Sequence, residues 1–316
     1  MPIGWMEALG AVEVSEAREN DGLQVFGLHW PEDGSRPYRT LDEALASGLF
    51  EVQETNEAGS VPTLRVSNKS DAEVLLVAGE ELVGAKQNRV LDVSMLVAAG
   101  SAIPIPVSCV ERGRWAYRSR HFGSGGVAAH FSLRHLLSKS VRDSYRRTGK
   151  PRADQNAVWN EVSLQLSSLG SASPSDALHQ GYEDSRPRLE AILAELPVPE
   201  GCSGAAFAIG GRLVGADLFD RPATLAALWS KLLRGYALES LARRQGAAPP
   251  VGRDEVREWL QSAARAQAHP YPSPGVGEDV RLEAEGLVGS ALVVDGQPLH
   301  VELFADVKRE PAASPV

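Results

Sequence analysis

The chain reads as an α+β protein: largely antiparallel sheets, sandwich or barrel-like, then a helical middle segment, then a C-terminal part that runs hairpin, helix, hairpin. Three observations carry this. Short, turn-bounded β segments fill the first third. Apolar residues switch to three-to-four spacing in the middle, and Gly210-Gly211 and Asp295-Gly296 each separate two apolar runs in the last third.

In chain order, the β signals are Leu23 to Trp30, Phe50 to Thr55, Thr63 to Ser67, Glu73 to Val77, Val90 to Val97 and Ala102 to Cys109. Between the first two, Thr40 with Glu43 three residues later predicts a capping box and a short helix. Phe131, His135, Leu136 and Val141, then Val158, Val162, Leu166 and Leu169, recur at helical spacing, with Gly149-Lys150-Pro151 dividing two amphipathic helices. Further helices are expected over Pro174 to Gln180 and Arg188 to Leu196, before a connector at Pro197 to Gly201. Ala205 to Ile209 and Arg212 to Phe219 form a hairpin because a Gly-Gly pair accepts positive φ at both turn positions. A helix from about Pro222 to Arg244 follows, with Pro222 suited to its first turn and Gly246 to its stop. Asp295-Gly296 joins Leu287 to Val294 with Pro298 to Phe304.

These signals divide the chain into a mainly β part (1–120), a helical segment bearing a basic stripe (121–200), an α+β part packed on the first (201–306) and a flexible tail (307–316). The 316 residues are 43% hydrophobic and 23% charged, which permits a sizeable core and argues against wholesale disorder. The start lacks a basic flank followed by an apolar stretch, and no run of about 18 apolar residues occurs, so a cytoplasmic location without membrane association is expected. A homo-oligomer is compatible with the sequence. Cys109 and Cys202 stand alone, without CxxC or Cys/His spacing, so free thiols are expected rather than a disulfide or a zinc site.

Net charge is −9, unevenly spread. Arg112 to Arg152 holds eleven Lys or Arg against Asp143 alone, which makes that segment +10 and leaves −19 elsewhere. Such a stripe can capture a phosphate-bearing ligand, or be a solvated helix face paired with the acidic remainder. An internal echo relates Gly79-Glu80-Glu81-Leu82-Val83-Gly84-Ala85-Lys86 to Gly210-Gly211-Arg212-Leu213-Val214-Gly215-Ala216-Asp217, with Gly286-Leu287-Val288-Gly289-Ser290 as a third copy. It reads either as hairpin composition, with glycine at a bulge or a close backbone approach, or as a duplicated β unit in which Lys86 and Asp217 face a shared cleft.

The stretch Gly79 to Arg89, with Pro106 to Trp115 downstream, resembles the ADP-ribosylglycohydrolase and rhodanese-phosphatase associated protein domain. The likeness continues through Ile209 to Asp220 and His300 to Phe304, covering roughly residues 5 to 306. It implies a link to ADP-ribose, NAD or RNA-repair chemistry, with ADP-ribosylglycohydrolase or rhodanese-phosphatase proteins as partners. It supplies no catalytic residue and no cofactor.

The residues themselves suggest a site. Lys86, Gln87, Asn88 and Arg89, with Arg114 and Trp115 downstream, offer cations, amides and a ring able to hold a phosphorylated small molecule or an RNA end. Glu81, Glu111 and Asp217 are the acid/base candidates. The same groups can instead form an internal network, with Glu81 or Glu111 paired to Arg89. Nothing has metal-ligand spacing. A nucleophilic Cys109 would need a base such as His121, His130 or His300, and an inert core thiol is the ordinary alternative. Gly123-Ser124-Gly125-Gly126, ahead of a helix signal near Ala128, is not a P-loop and is expected to be a flexible lid or loop. Asp220 is expected to cap the helix at Pro222. The expected function is a non-catalytic binding or scaffolding protein for a phosphorylated nucleotide or ADP-ribose-like ligand, the alternative being an enzyme that processes one.

Overall fold

A computed structural model describes residues 4–30, 34–243 and 248–306. Two sheet systems meet there across a helical layer. Six strands close a barrel in the order Ala102–Cys109, Thr63–Asn68, Phe50–Glu54, Phe122–Ala128, Glu80–Gly84 and Arg89–Leu91. Alternation along Phe50–Glu54 and Thr63–Asn68 buries Val52, Leu64 and Val66, as expected of strands with one face in a barrel core. Beside the barrel, Met95–Val97, Glu73–Leu76 and Tyr38–Thr40 form a three-stranded sheet. The expected strand Val90 to Val97 is therefore two strands. The chain leaves the barrel after Leu91 and joins the small sheet at Met95, and in the crossing Ser94 Oγ accepts the Ala78 N–H at 2.9 Å.

The large sheet draws on both ends of the chain. Leu23–His29 pairs antiparallel with Gly204–Ile209, which turns through Gly210-Gly211 into Arg212–Phe219. Gln297–Ala305, Leu287–Val294, Glu278–Ala284 and Gln267–Pro272 follow outward. Both hairpin turns are as expected: φ is +57° and +73° at Gly210 and Gly211, and +50° and +79° at Asp295 and Gly296. Both faces of this sheet are covered. Val25, Phe207 and Val214 belong to the main core, while Phe26, Ala206 and Leu213 pack under Gly4–Gly10 and Arg253–Ala264. Double burial is why Gly204–Ile209 reads as an unbroken apolar run.

The helical layer begins with Phe131–Thr148 and Gln155–Leu169, separated at Gly149 (φ +69°), and Asp154 caps the second by accepting from the N–H groups of Asn156 and Ala157. The short helix Leu41–Ala46 carries the expected capping box, with the Thr40 N–H donating to Glu43 at 2.8 Å. The two helices expected over Pro174 to Gln180 and Arg188 to Leu196 are one helix, Leu178–Glu195, with Pro187 inside it. A proline costs about 3 kcal/mol in a helix interior. Here burial of Tyr182, Leu189 and Ile192 along one face offsets that cost.

Gly123 to Gly126 is not a lid but part of the barrel strand Phe122–Ala128, and the following helix starts at Phe131. Gly125 marks a close approach to Glu81, whose Oε2 would lie 2.5 Å from a Cβ at that position. Asp220 is not the cap of Pro222–Ala242; Arg221 occupies that position, and Asp220 accepts the Tyr38 hydroxyl. The expected stop at Gly246 and the tail at 307–316 lie outside the described residues. Among the described residues no helix is long and apolar enough to cross a membrane.

Candidate functional site

Most of the predicted ligand groups converge beside the barrel, around Glu111. Its carboxylate accepts from Arg114 Nη2 at 2.5 Å, from the Asn88 N–H at 3.0 Å and from Ser175 Oγ at 3.0 Å, while its carbonyl accepts from Gln87 Nε2 at 2.9 Å. Burial works against the charge on Glu111, but the Arg114 hydrogen bond and the Asn88 N–H hold its carboxyl below the ordinary range. Arg114 also donates to the carbonyls of Ala85 (2.6 Å), Ala116 (2.8 Å) and Gly84 (3.2 Å) and to Asn88 Oδ1 (3.2 Å). One guanidinium thus ties the turn at Ala85, which has φ +37°, to the segment after Cys109.

Arg89 is completely buried and donates to the Gln87 carbonyl and side chain at 3.2 Å, with Glu54 4.0 Å away. Burial pushes its proton affinity down. The partner of Arg89 is therefore neither Glu81 nor Glu111. Lys86 Nζ donates to the Glu57 and Ala58 carbonyls at 2.5 and 2.8 Å, and lies 5.2 Å from the Trp115 ring centroid and 5.1 Å from that of Tyr117. Trp115 and Tyr117 are 48% and 52% exposed. They stand on an irregular segment.

Glu81 faces another way. Completely buried, it meets His179 Nδ1 through Oε2 at 2.6 Å. The imidazole, half-buried on the first turn of Leu178–Glu195, lines a recess of about 330 Å³ with Gly125, Gly126, Tyr182, Glu183, Arg186, Glu190 and Arg234, and its Nε2 lies 3.5 Å from Glu183 Oε1. Arg186 pairs with Glu183, and Arg234 donates to Glu190 at 2.7 Å. The Glu81 hydrogen bond raises the proton affinity of His179, while burial raises that of Glu81. Both effects favour a proton shared within the pair. A larger recess of about 750 Å³ lies beside Arg36, but it holds none of the predicted ligand groups, and Arg36 is committed to Glu73 and Asp295.

Asp217 lies in a different environment. Strand register places Asp217, Glu302, Ser290 and Arg281 on one rung across four adjacent strands of the large sheet. Asp217 accepts from Arg134 Nη1 and Nη2, from the Tyr236 hydroxyl at 3.0 Å and meets His300 Nε2 at 3.1 Å. Every oxygen is engaged, and Asp217 has no exposure. Asp217, on a strand of the large sheet, and Lys86, in the bend between the barrel strands Glu80–Gly84 and Arg89–Leu91, thus have separate partners. The echoed glycines share a simpler feature: a Cβ at Gly84, Gly215 or Gly289 would fall 2.5 to 2.8 Å from its nearest neighbour, so each marks a close approach. Cys109 is buried, its backbone N–H bonded to Gln155 Oε1 at 2.8 Å.

A family model described as the ARG and Rhodanese-Phosphatase-superfamily-associated Protein domain matches residues 11–304. The chain belongs to this family. No curated protein matches the chain, and no solved structure does.

In this member of the family, the sequence names Glu81 as an acid/base candidate without the partner that folding gives it. His179, Arg186 and Arg234 went unnoticed because 98 positions separate His179 from Glu81 and only folding joins them. A signal was present. His179, Glu183, Arg186 and Glu190 recur at helical three-to-four spacing, a polar stripe that is visible once Pro187 is allowed inside the helix.

Proposed function

We propose that the chain is a binding protein whose recess beside His179 receives the phosphate- and ribose-bearing end of an ADP-ribose-like or other phosphorylated nucleotide. In this reading it presents that ligand to ADP-ribosylglycohydrolase or rhodanese-phosphatase proteins, with which its family is associated by description. The observation that carries the proposal is the Glu81–His179 contact of 2.6 Å at the wall of a recess that also holds Arg186 and Arg234. A proton kept on the pair lets His179 donate to an anionic oxygen, and two guanidinium groups now shared with Glu183 and Glu190 can turn to a phosphate. Gly125 and Gly126 bring backbone close to that space without side chains. In this assignment Gln87, Asn88, Arg89, Glu111 and Arg114 hold the barrel wall rather than touch ligand, and Glu81 is a positioning residue acting through His179.

The same pair favours a second reading, an enzyme in which His179 transfers a proton to or from the bound nucleotide. Calorimetric titration of the purified chain with ADP-ribose, NAD and 2′-phosphorylated RNA ends, with product analysis of each mixture, separates the two. Saturable binding without product, weakened at least tenfold by combining Arg186→Ala with Arg234→Ala, supports the binding protein. Turnover abolished by His179→Asn supports the enzyme. Neither binding nor turnover with any of the three would sink both.

A further inference from the structure

We infer that the segment from Arg112 to His121 is a preformed platform for single-stranded nucleic acid, on which Trp115 and Tyr117 stack bases and Arg118 and Arg120 contact phosphates. The inference concerns a surface separate from the His179 recess and does not depend on what that recess binds. Among the described residues only four large hydrophobic side chains are strongly exposed, and two of them, Trp115 and Tyr117, lie two positions apart on this segment. An exposed aromatic pair in a chain otherwise able to bury its rings calls for a ligand with flat apolar faces.

The pair is held before any ligand arrives. Lys86 Nζ sits within 5.2 Å of both ring centroids, which places the rings no more than about 10 Å apart, and its ammonium is anchored by the Glu57 and Ala58 carbonyls. Beneath them, Arg114 clamps the segment through the carbonyls of Ala85 and Ala116, and the Ala116 and Arg118 N–H groups donate to the Lys86 and Ala85 carbonyls. A segment without regular structure is thereby fixed, so little ordering entropy remains to be lost on binding.

Charge selects the ligand. Residues 112–121 carry four arginines and no acid, on a chain of net charge −9. Arg114 is consumed by the clamp, whereas Arg112 and Arg120 are exposed and Arg118, 3.7 Å from Glu111 Oε1, keeps a side chain 66% exposed. Rings flanked by arginines match a strand whose bases are unpaired and whose backbone is anionic; a duplex hides the faces that Trp115 and Tyr117 would contact. A protein surface of apolar type would have no use for the arginines, and an acidic peptide none for two bare rings.

The test is fluorescence anisotropy of the full chain with a labelled 12-nucleotide single strand, as RNA and as DNA of the same sequence, against the matching duplex over a salt series. Saturable binding of either single strand, with the duplex weaker, is expected. Trp115→Ala and Tyr117→Ala should each weaken binding about tenfold, in line with the usual worth of one base–aromatic stack. Arg118→Gln with Arg120→Gln should flatten the slope of log affinity against log salt by about 1.4, at ~0.7 per phosphate contact in a single strand. These positions are exposed, and an unchanged circular-dichroism melt confirms that each variant folds. Absence of single-strand binding at low salt, equal affinity for the duplex, or binding indifferent to both ring substitutions would overturn the inference. So would self-association in light scattering that the same ring substitutions abolish.

Discussion

Arg134 and Asp217 meet through two parallel hydrogen bonds, 2.9 Å and 2.5 Å long, although both side chains are almost wholly withdrawn from water. Such a pair is kept only where its remaining valences are met, and here Tyr236 and His300 complete Asp217 while Glu302 approaches Arg134 at 3.1 Å. The pair pins the first turns of Phe131–Thr148 to the middle of the large sheet. Burial alone would raise the Asp217 carboxyl, yet the Arg134 charge and the His300 hydrogen bond hold it well below the ordinary carboxylate range.

Replacing Asp217 by Asn should therefore destabilise the fold by about 3–5 kcal/mol, the usual cost of stranding one member of a buried ion pair. Guanidinium denaturation measures it. A depressed carboxyl contributes stability that is present above its unfolded value of 3.8 and lost as pH falls towards its folded value, so the gap between the two proteins should narrow progressively below about pH 4. A loss below about 1 kcal/mol at neutral pH would mean that the pair is not what fixes the helix to the sheet.

Asp92 carries the opposite sign. Buried in the crossing between barrel and small sheet, it accepts the Ser108 hydroxyl at 2.6 Å, and desolvation pushes its carboxyl up from 3.8 to about 7. A carboxyl raised in the fold binds its proton more tightly there than in the unfolded chain. Stability should thus fall as pH rises from about 4 to about 7, by an amount on the order of 3 kcal/mol. Asp92→Asn, which does not titrate, should flatten that part of the curve. A variant whose melting temperature follows the same pH profile as the parent would refute the assignment of the slope to Asp92.

How far these features were legible in the sequence depends on range. The hairpins at Gly210-Gly211 and Asp295-Gly296 and the cap of Leu41–Ala46 rest on chemistry within four residues, and each formed where the residues indicated. A barrel-like sheet was one of the two expected forms, but the strand that closes it was not legible, because pairing Phe122–Ala128 with both Phe50–Glu54 and Glu80–Gly84 is a non-local event. Gly123 to Gly126 was misread for a related reason: glycines signal a loop locally, whereas here Gly125 keeps a strand close to Glu81. The strands Gln267–Pro272 and Glu278–Ala284 escaped notice because one is half-exposed and proline-bearing and the other hides Asp279 and Arg281 among apolar neighbours. The cluster at Lys86 to Arg89 and Arg114 was found from residue types alone, but its division into a clamp, a ring support and a separate Glu81–His179 pair is set by which way each side chain turns.

That division can be probed at one atom. A methyl group on Gly125 would sit 2.5 Å from Glu81 Oε2, the oxygen that meets His179, so Gly125→Ala must move either the strand or the carboxylate. Gly125 lies in the register shift between Ser124 and Ala128, and the Glu81 carboxylate, as the far end of a side chain, moves at the lower cost. With the contact lengthened, His179 should lose the cause of its raised proton affinity and titrate closer to its ordinary value of 6.5. A raised histidine contributes stability that is complete below its unfolded value and lost as pH rises through its folded one. Gly125→Ala should remove that contribution together with about 1–3 kcal/mol for overpacking. Carbon-detected NMR titration of the imidazole reads the first effect and thermal melting between pH 6 and 9 the second. Binding of an anionic nucleotide that needs the protonated imidazole should weaken in parallel as pH climbs above neutrality. An imidazole that titrates identically in parent and variant would show that Glu81 does not govern His179, and the recess would lose its proton donor.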